Sequence, residues 1–104
     1  MTYLSQDVAR TTDFYRSALN AQVIEDALPE YVKLRVGGFA FCIDRGSASD
    51  QPRLLLEAHP LVDELQRLEW LGVHHHEPLQ GQEGRRWFSV LDPDGREIIF
   101  GESI

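Results

Sequence analysis

The residues best suited to chemistry form one short run, which reads His74, His75, His76 and Glu77. Imidazole nitrogens and carboxylate oxygens are ligands for divalent transition metals. On an extended strand the side chains alternate between two faces, so His74 and His76 share one face while Glu77 lies on the other. The run therefore offers at most two ligands on one face. We expect these histidines to lie on the surface of an edge strand and to hold no metal.

The other reactive groups do not form a recognisable catalytic set. Gly37-Gly38 lacks a following helix, so it predicts a hairpin turn and not a phosphate-binding loop. The single cysteine, Cys42, would need a nearby cation such as Arg53 to become a reactive thiolate, and a buried, inert thiol is the favoured interpretation. A lone cysteine forms no internal disulfide, which agrees with a reducing compartment. These patterns predict no catalytic residue.

Composition is that of an ordinary soluble domain. The chain has 104 residues, which suit one domain with a modest core. Its formal net charge of −7 argues against nucleic acid, whose phosphates need a basic face. No apolar run approaches the roughly 18 residues of a membrane span, and the N-terminus does not resemble a signal peptide. We therefore expect a cytoplasmic protein without nucleic-acid or membrane partners.

These groups must be positioned by elements that occur in the same order in both halves of the chain. In the first half, Asp7 suits the N-cap of a helix, apolar residues recur at helical spacing to Leu19, and Asn20 suits a left-handed end. The strands predicted around this helix are Thr2–Ser5, Ala21–Glu25, Glu30–Val36 and Phe39–Asp44.

In the second half, Pro60 suits the first position of a helix that carries a leucine stripe and ends at Gly72. The strands predicted around it are Arg53–Ala58, Val73–Pro78, Arg85–Leu91 and Arg96–Phe100. Each half thus has the order βαβββ, which favours a mixed sheet with helices on one face. We predict a single domain, 1–104, that consists of one unit at 1–46, a linker at 47–52 and a second unit at 53–104.

The sequence Asp-Pro-Asp-Gly at 92–95 separates two alternating apolar runs and predicts a β-hairpin. Pro93 fixes φ at the second turn position, Asp92 accepts hydrogen bonds from following amides, and Gly95 adopts positive φ. Together with Asp-Phe-Tyr-Arg-Ser-Ala-Leu at 13–19, this turn resembles the glyoxalase/bleomycin-resistance/extradiol-dioxygenase superfamily, the vicinal oxygen chelate (VOC) proteins. The resemblance implies an α+β fold whose two βαβββ units form a curled mixed sheet around a cleft, with helices on the outer face.

In metal-dependent members of that superfamily, the ligands come from the first, fourth, fifth and eighth strands. Carried onto this chain, the first position falls just before Met1 and the fourth falls near Cys42. The fifth position is Arg53 and the eighth is Ile99, and neither a guanidinium nor an aliphatic side chain coordinates a cation. Asp44 as a substitute ligand would not rebuild the site. We therefore expect no metal and no other cofactor, as in the metal-free bleomycin-resistance-like branch.

Strand alternation, with its phase taken from the resemblance, predicts which side chains line the cleft. An apolar wall with a few polar groups is typical of small-molecule sites, and Trp87 is suited to stacking on a flat ligand. The predicted ligand-binding residues are Trp87, Arg53, Glu57, Leu55, Cys42 and Ile99.

The favoured function is metal-free binding of an apolar or planar small molecule in the cleft, as in drug or toxin resistance. The resemblance implies that the chain is a homodimer. Two alternatives stay open. A lyase, isomerase or dioxygenase of the same superfamily, with a non-standard or absent metal site, would need a base such as Glu57 or Glu97. An accessory domain without a small ligand would have a filled cleft.

Overall fold

The computed structural model describes residues 2–47 and 53–103. The chain divides into two compact units, 1–51 and 52–104. Within the described residues, each unit has the element order βαβββ and one four-stranded mixed sheet. The predicted fold class, α+β with two βαβββ units, is confirmed. Apart from Ser47, the linker predicted at 47–52 lies outside the described residues.

The first unit contains five elements: β1 (Thr2–Ser5), α1 (Val8–Leu19), β2 (Gln22–Ala27), β3 (Tyr31–Val36) and β4 (Phe39–Arg45). Its sheet has the order β1-β4-β3-β2, in which β1 runs parallel to β4 and the other neighbours are antiparallel. The helix α1 connects β1 to β2, which are the two edge strands of this sheet.

Local chemistry fixes both ends of α1, as the sequence predicts. The Asp7 carboxylate accepts a hydrogen bond from the Arg10 amide at 3.1 Å and so caps the first turn. At the other end Asn20 adopts the left-handed conformation with φ +54°, and the Ala21 amide donates to the Tyr15 carbonyl at 3.1 Å.

The core of the first unit is aromatic. Phe41 packs edge-on against Tyr3 of β1 and Tyr15 of α1, with ring centroids 5.2 and 5.3 Å apart. All three side chains are buried. Because Phe41 faces the helix, its neighbours Cys42 and Ala40 face the opposite side of the sheet.

The second unit repeats the pattern with β5 (Leu54–Glu57), α2 (Leu61–Trp70), β6 (His75–Gln82), β7 (Arg85–Leu91) and β8 (Glu97–Ser103). Its sheet order, β5-β8-β7-β6, corresponds to that of the first unit. Phe88 and Phe100 stack at 5.0 Å on the helix-facing side, where they are buried with Leu61 and Leu68 of α2. No helix among the described residues has the length and apolar character that crossing a membrane requires.

A carboxylate from β8 caps the N-terminus of α2. Pro60 precedes the helix, so its predicted place as the first helical residue is wrong, and it offers no side-chain cap. The Leu61 amide donates instead to Glu102 Oε2 at 2.6 Å, and Arg86 donates to Glu102 Oε1 at 2.5 Å. Both hydrogen bonds lower the pKa of the Glu102 carboxyl, the one from Arg86 more than the one from Leu61, whereas burial raises it.

The predicted turn between β7 and β8 is confirmed. Asp92 accepts hydrogen bonds from the amides of Asp94 and Arg96, both at 2.9 Å, and the Gly95 amide donates to the Asp92 carbonyl at 3.0 Å. Gly95 has φ +84°, where a side chain would be strained. The Arg96 guanidinium also donates to Asp92 Oδ2, and both of these side chains are fully buried.

Candidate functional site

The candidate site lies on the side of the second sheet that faces away from α2. Alternation along β5, β7 and β8 directs Leu54, Phe88 and Ile98 toward the helix, where all three are buried. The residues between them face the other way. We call this surface the open face, and its central members are Leu55, Trp87, Ser89, Glu97, Ile99 and Gly101.

Apolar side chains occupy the middle of the open face. Leu55 of β5 lies directly opposite Ile99 of β8, and Ile99 lies opposite Ser89 of β7. Leu55 is 61% exposed, although it sits on a strand whose other leucine, Leu54, is 4% exposed. An aliphatic pair thus remains open on a sheet whose other face is a packed core.

The next row across the sheet contains a gap. Trp87 of β7 pairs with Gly101 of β8, which pairs in turn with Glu57 of β5. Among residues 2–47 and 53–103, and apart from the chain neighbours of Gly101, a Cβ atom at this position would meet no heavy atom closer than the Arg86 carbonyl oxygen at 3.9 Å, so there is room for a further carbon atom above this glycine. We call the space beside the half-buried Trp87 and above Gly101 the notch.

An ion pair lies on the open face on the side of Ile99 that is away from the notch. Arg53 Nε lies 3.0 Å from Glu97 Oε1, and the Ser89 hydroxyl donates to Glu97 Oε2 at 2.9 Å. The Arg53 side chain is 72% exposed, whereas that of Glu97 is 18% exposed. The guanidinium therefore remains accessible to solvent at the end of an apolar surface.

Five of the six predicted ligand-binding residues come together in this unit, and Cys42 belongs to the other one. Cys42 is half-buried on β4, opposite Thr2 of β1 and Lys33 of β3. Beside it, Tyr31 pairs with Asp44 across the strands. A hydrogen bond to Glu25 and the negative charge of that residue raise the pKa of the Tyr31 phenol.

The metal positions that the resemblance implies do not fit a metal within the second unit. Arg53 presents a cation, and it is already engaged with Glu97. Ile99 presents only carbon atoms between Leu55 and Ser89. A divalent ion needs nitrogen, oxygen or sulfur donors at both places.

The strand that carries the histidine run, β6, differs from the prediction in its bounds and in the faces of its side chains, because its pairing with β7 is irregular. The strand covers His75–Gln82, longer than the predicted Val73–Pro78, and its pairing with β7 shifts between His75 and Glu77 and again between Glu77 and Gln80. The first shift inserts one extra residue and brings Glu77 opposite Ser89, a residue of the open face. The prediction that Glu77 faces away from His76 is therefore wrong. Pro78 was the available signal, because a proline inside a strand marks an edge or a bulge.

Comparison with solved structures identifies the fold as that of glyoxalase/bleomycin resistance/dioxygenase proteins, the VOC fold. The chain is similar to TioX from Micromonospora sp. ML1, with a TM-score of 0.84 and 16% identity over 100% of this chain and 96% of that one. It is similar to a mutant of the fosfomycin resistance protein FosX from Listeria monocytogenes, in complex with Mn(II), with a TM-score of 0.82 and 19% identity over 99% and 86%.

A third similar structure is a glyoxalase/bleomycin resistance protein/dioxygenase from Alicyclobacillus acidocaldarius, with a TM-score of 0.82 and 16% identity over 100% of this chain and 89% of that one. At these identities the likeness shows the fold. No model of a known protein family matches the chain, and no curated protein matches it.

Proposed function

We propose that the chain is a small-molecule-binding protein that holds a flat, apolar organic molecule in the notch and needs no metal to do so. The observation that carries this proposal is the gap above Gly101, which has an indole beside it and the Leu55–Ile99 pair in the adjacent row. Small-molecule sites typically combine such apolar walls with a few polar groups.

The side chains of the open face have separable roles in this proposal. Trp87 supplies a flat surface for stacking, which contributes about 0.5–1.5 kcal/mol beyond the area it buries. Leu55 and Ile99 support the edge of the bound molecule. Arg53, at the far end, attracts an anionic substituent. Sequestration of a drug or toxin is the physiological role we propose, and the fold likeness to a protein of fosfomycin resistance is consistent with it.

An enzyme that uses a carboxylate base is less well supported by this geometry. Both oxygens of Glu97 are engaged, one by Arg53 and the other by Ser89. A base must accept a proton from the substrate within hydrogen-bond reach, and these two partners occupy that position. Glu57 is exposed on the edge strand β5, and among the described residues no side-chain hydrogen bond or ion pair holds its carboxylate in place.

Fluorescence of Trp87 tests the proposal. The chain has two tryptophans, so Trp70→Phe leaves Trp87 as the only indole. The probe is 8-anilinonaphthalene-1-sulfonate, a flat aromatic anion, titrated in the presence of EDTA. We expect saturable quenching of Trp87 with one probe bound per chain, because the indole forms one wall of the notch.

Matched variants locate the probe. Gly101→Leu fills the notch and Trp87→Ala removes its wall, so each should weaken binding roughly five- to tenfold. Binding to these variants is followed by the fluorescence of the probe itself, because Trp87→Ala removes the indole. Trp70→Ala is the control, since it removes a tryptophan that is 90% exposed on α2, away from the open face. Binding that survives Gly101→Leu, or that disappears with Trp70→Ala, contradicts the proposal.

The homodimer that the resemblance implies stays a proposal. Sedimentation velocity of the purified chain distinguishes a monomer from a dimer, because a dimer has twice the mass of the 11.9 kDa chain.

A further inference from the structure

Three side chains with metal-ligating atoms converge on the open face, and none of them is at a position that the resemblance implies for a metal ligand. The ligand atoms of His76, Glu77 and Glu97 all lie within 4.8 Å of one another. Two of these residues come from β6 and one from β8, so the sheet itself brings them together across β7. The cluster is the outcome of the bulge that turns Glu77 toward Ser89.

We propose that His76, Glu77 and Glu97 bind one divalent first-row transition-metal ion, with Zn²⁺ as the representative. One imidazole and two carboxylates are a donor set that such ions accept, and three protein ligands leave a position for water or for an oxygen of a bound molecule. This site does not depend on the proposed notch, because the two share no side chain.

The two neighbouring carboxylates of the cluster favour a bound cation. The two carboxylates, Glu77 and Glu97, have ligand atoms within 4.8 Å of each other, and in the described part of the chain Arg53 is the one cation that pairs with either of them. Among residues 2–47 and 53–103, the side chains of His76 and Glu77 have no hydrogen-bond or ion-pair partner, although the backbone of β6 pairs with β7. Two donors are therefore uncommitted, and the pair of like charges is only half compensated.

The third ligand is held in place beneath the surface. The Ser89 hydroxyl, on a residue that is 1% exposed, donates to Glu97 Oε2 and fixes the orientation of the carboxylate. Hydrogen bonds of this kind commonly orient metal ligands and strengthen the site. Arg53 occupies the other oxygen, but its exposed guanidinium is free to move into solvent when an ion takes its place.

Small rotations complete the geometry. Bonds of about 2.0–2.2 Å to a tetrahedral zinc ion place neighbouring ligand atoms roughly 3.4 Å apart. The side chains of His76 and Glu77 are exposed, so they can approach Glu97 without disturbing the core.

Calorimetric titration of the untagged chain with Zn²⁺ tests this site. We expect one ion per chain, and at least tenfold weaker binding in His76→Ala and in Glu77→Gln, since each removes a ligand. The double variant His74→Ala/His75→Ala is the control, because it removes two neighbouring imidazoles that lie outside the cluster. It should bind Zn²⁺ as the natural chain does. Mg²⁺ should not compete, since it is a poor partner for imidazole.

Arg53→Gln gives the sharpest result. Removal of the competing guanidinium should strengthen Zn²⁺ binding about two- to fivefold, whereas adventitious binding to a histidine run would not respond. The proposal is overturned if no ion binds, if His74→Ala/His75→Ala abolishes binding, or if Glu77→Gln leaves the affinity unchanged. Failure of these tests leaves the notch intact, since probe binding there is measured in EDTA.

Discussion

The buried ion pair in the turn between β7 and β8 makes a quantitative prediction. Arg96→Met keeps most of the length of the side chain but removes the guanidinium that donates to Asp92 Oδ2. Both side chains are fully buried, so water cannot replace the lost partner. The Asp92 carboxylate then retains the amide hydrogen bonds to its Oδ1 but loses the hydrogen bond and the positive charge of Arg96.

Removal of one partner of a buried ion pair costs about 3–5 kcal/mol. The total stability of a domain is about 5–15 kcal/mol, so this single substitution removes a large share of it. The matched control is Arg45→Met, because Arg45 pairs with Glu30 at 3.4 Å while the two side chains are 63% and 67% exposed. An exposed pair of this kind contributes about 0.2–1 kcal/mol.

Urea denaturation of the two variants measures the difference in the free energy of unfolding. We expect Arg96→Met to lose at least three times as much stability as Arg45→Met. The double variant Asp92→Asn/Arg96→Met should recover part of the loss, because the uncompensated buried charge is gone. If the free energy of unfolding of Arg96→Met falls within about 1 kcal/mol of that of Arg45→Met, the buried pair does not stabilise the turn.

Two further predictions concern the termini of structural elements. Glu102 has a pKa below its ordinary value of 4.5 in the folded chain, so its stabilising effect is complete above that pH and is lost as the pH falls through the lowered pKa. Glu102→Gln keeps the shape of the side chain but removes the titrating group. Urea denaturation between pH 3 and 7 should therefore show that this variant loses less stability toward acid than the natural chain does. Equal dependence of the unfolding free energy on pH in the two chains would contradict a stabilising role of the Glu102 cap. Gly95→Ala should lower the stability by about 1–2 kcal/mol, since Gly95 has a φ of +84°. Gly38→Ala should lower it by less than half of that, because Gly38 has no positive φ and a Cβ atom there meets nothing within 4 Å among the described residues. Thermal unfolding of the two variants measures both losses.

Much of the fold follows from local sequence signals, because they act within a few residues. The Asp7 cap, the left-handed Asn20 and the Asp-Pro-Asp-Gly turn each specify backbone geometry on their own. Alternation along β5, β7 and β8 predicts which residues face the core. With the phase taken from the resemblance, it also predicts that Leu55, Ile99 and Trp87 lie on the side of the sheet away from the helix, where the structure places them.

The features that sequence patterns did not predict depend on contacts between strands. The bulge at His76 changes the face of Glu77, and a strict alternation rule cannot anticipate an inserted residue. The cap of α2 comes from Glu102, 41 residues beyond Leu61, so no local pattern reveals it. Likewise, the notch exists because Gly101 pairs with Trp87, which only the register of the two strands determines.

NMR spectroscopy shows directly whether the notch on the open face binds a flat apolar molecule. Chemical shifts of the labelled chain are recorded during titration with 8-anilinonaphthalene-1-sulfonate in EDTA. We predict that the largest changes occur at the Trp87 indole N–H, the Gly101 amide and the methyl groups of Ile99. Changes concentrated instead at Trp70 and Leu71, the exposed apolar pair at the end of α2, would contradict binding in the notch.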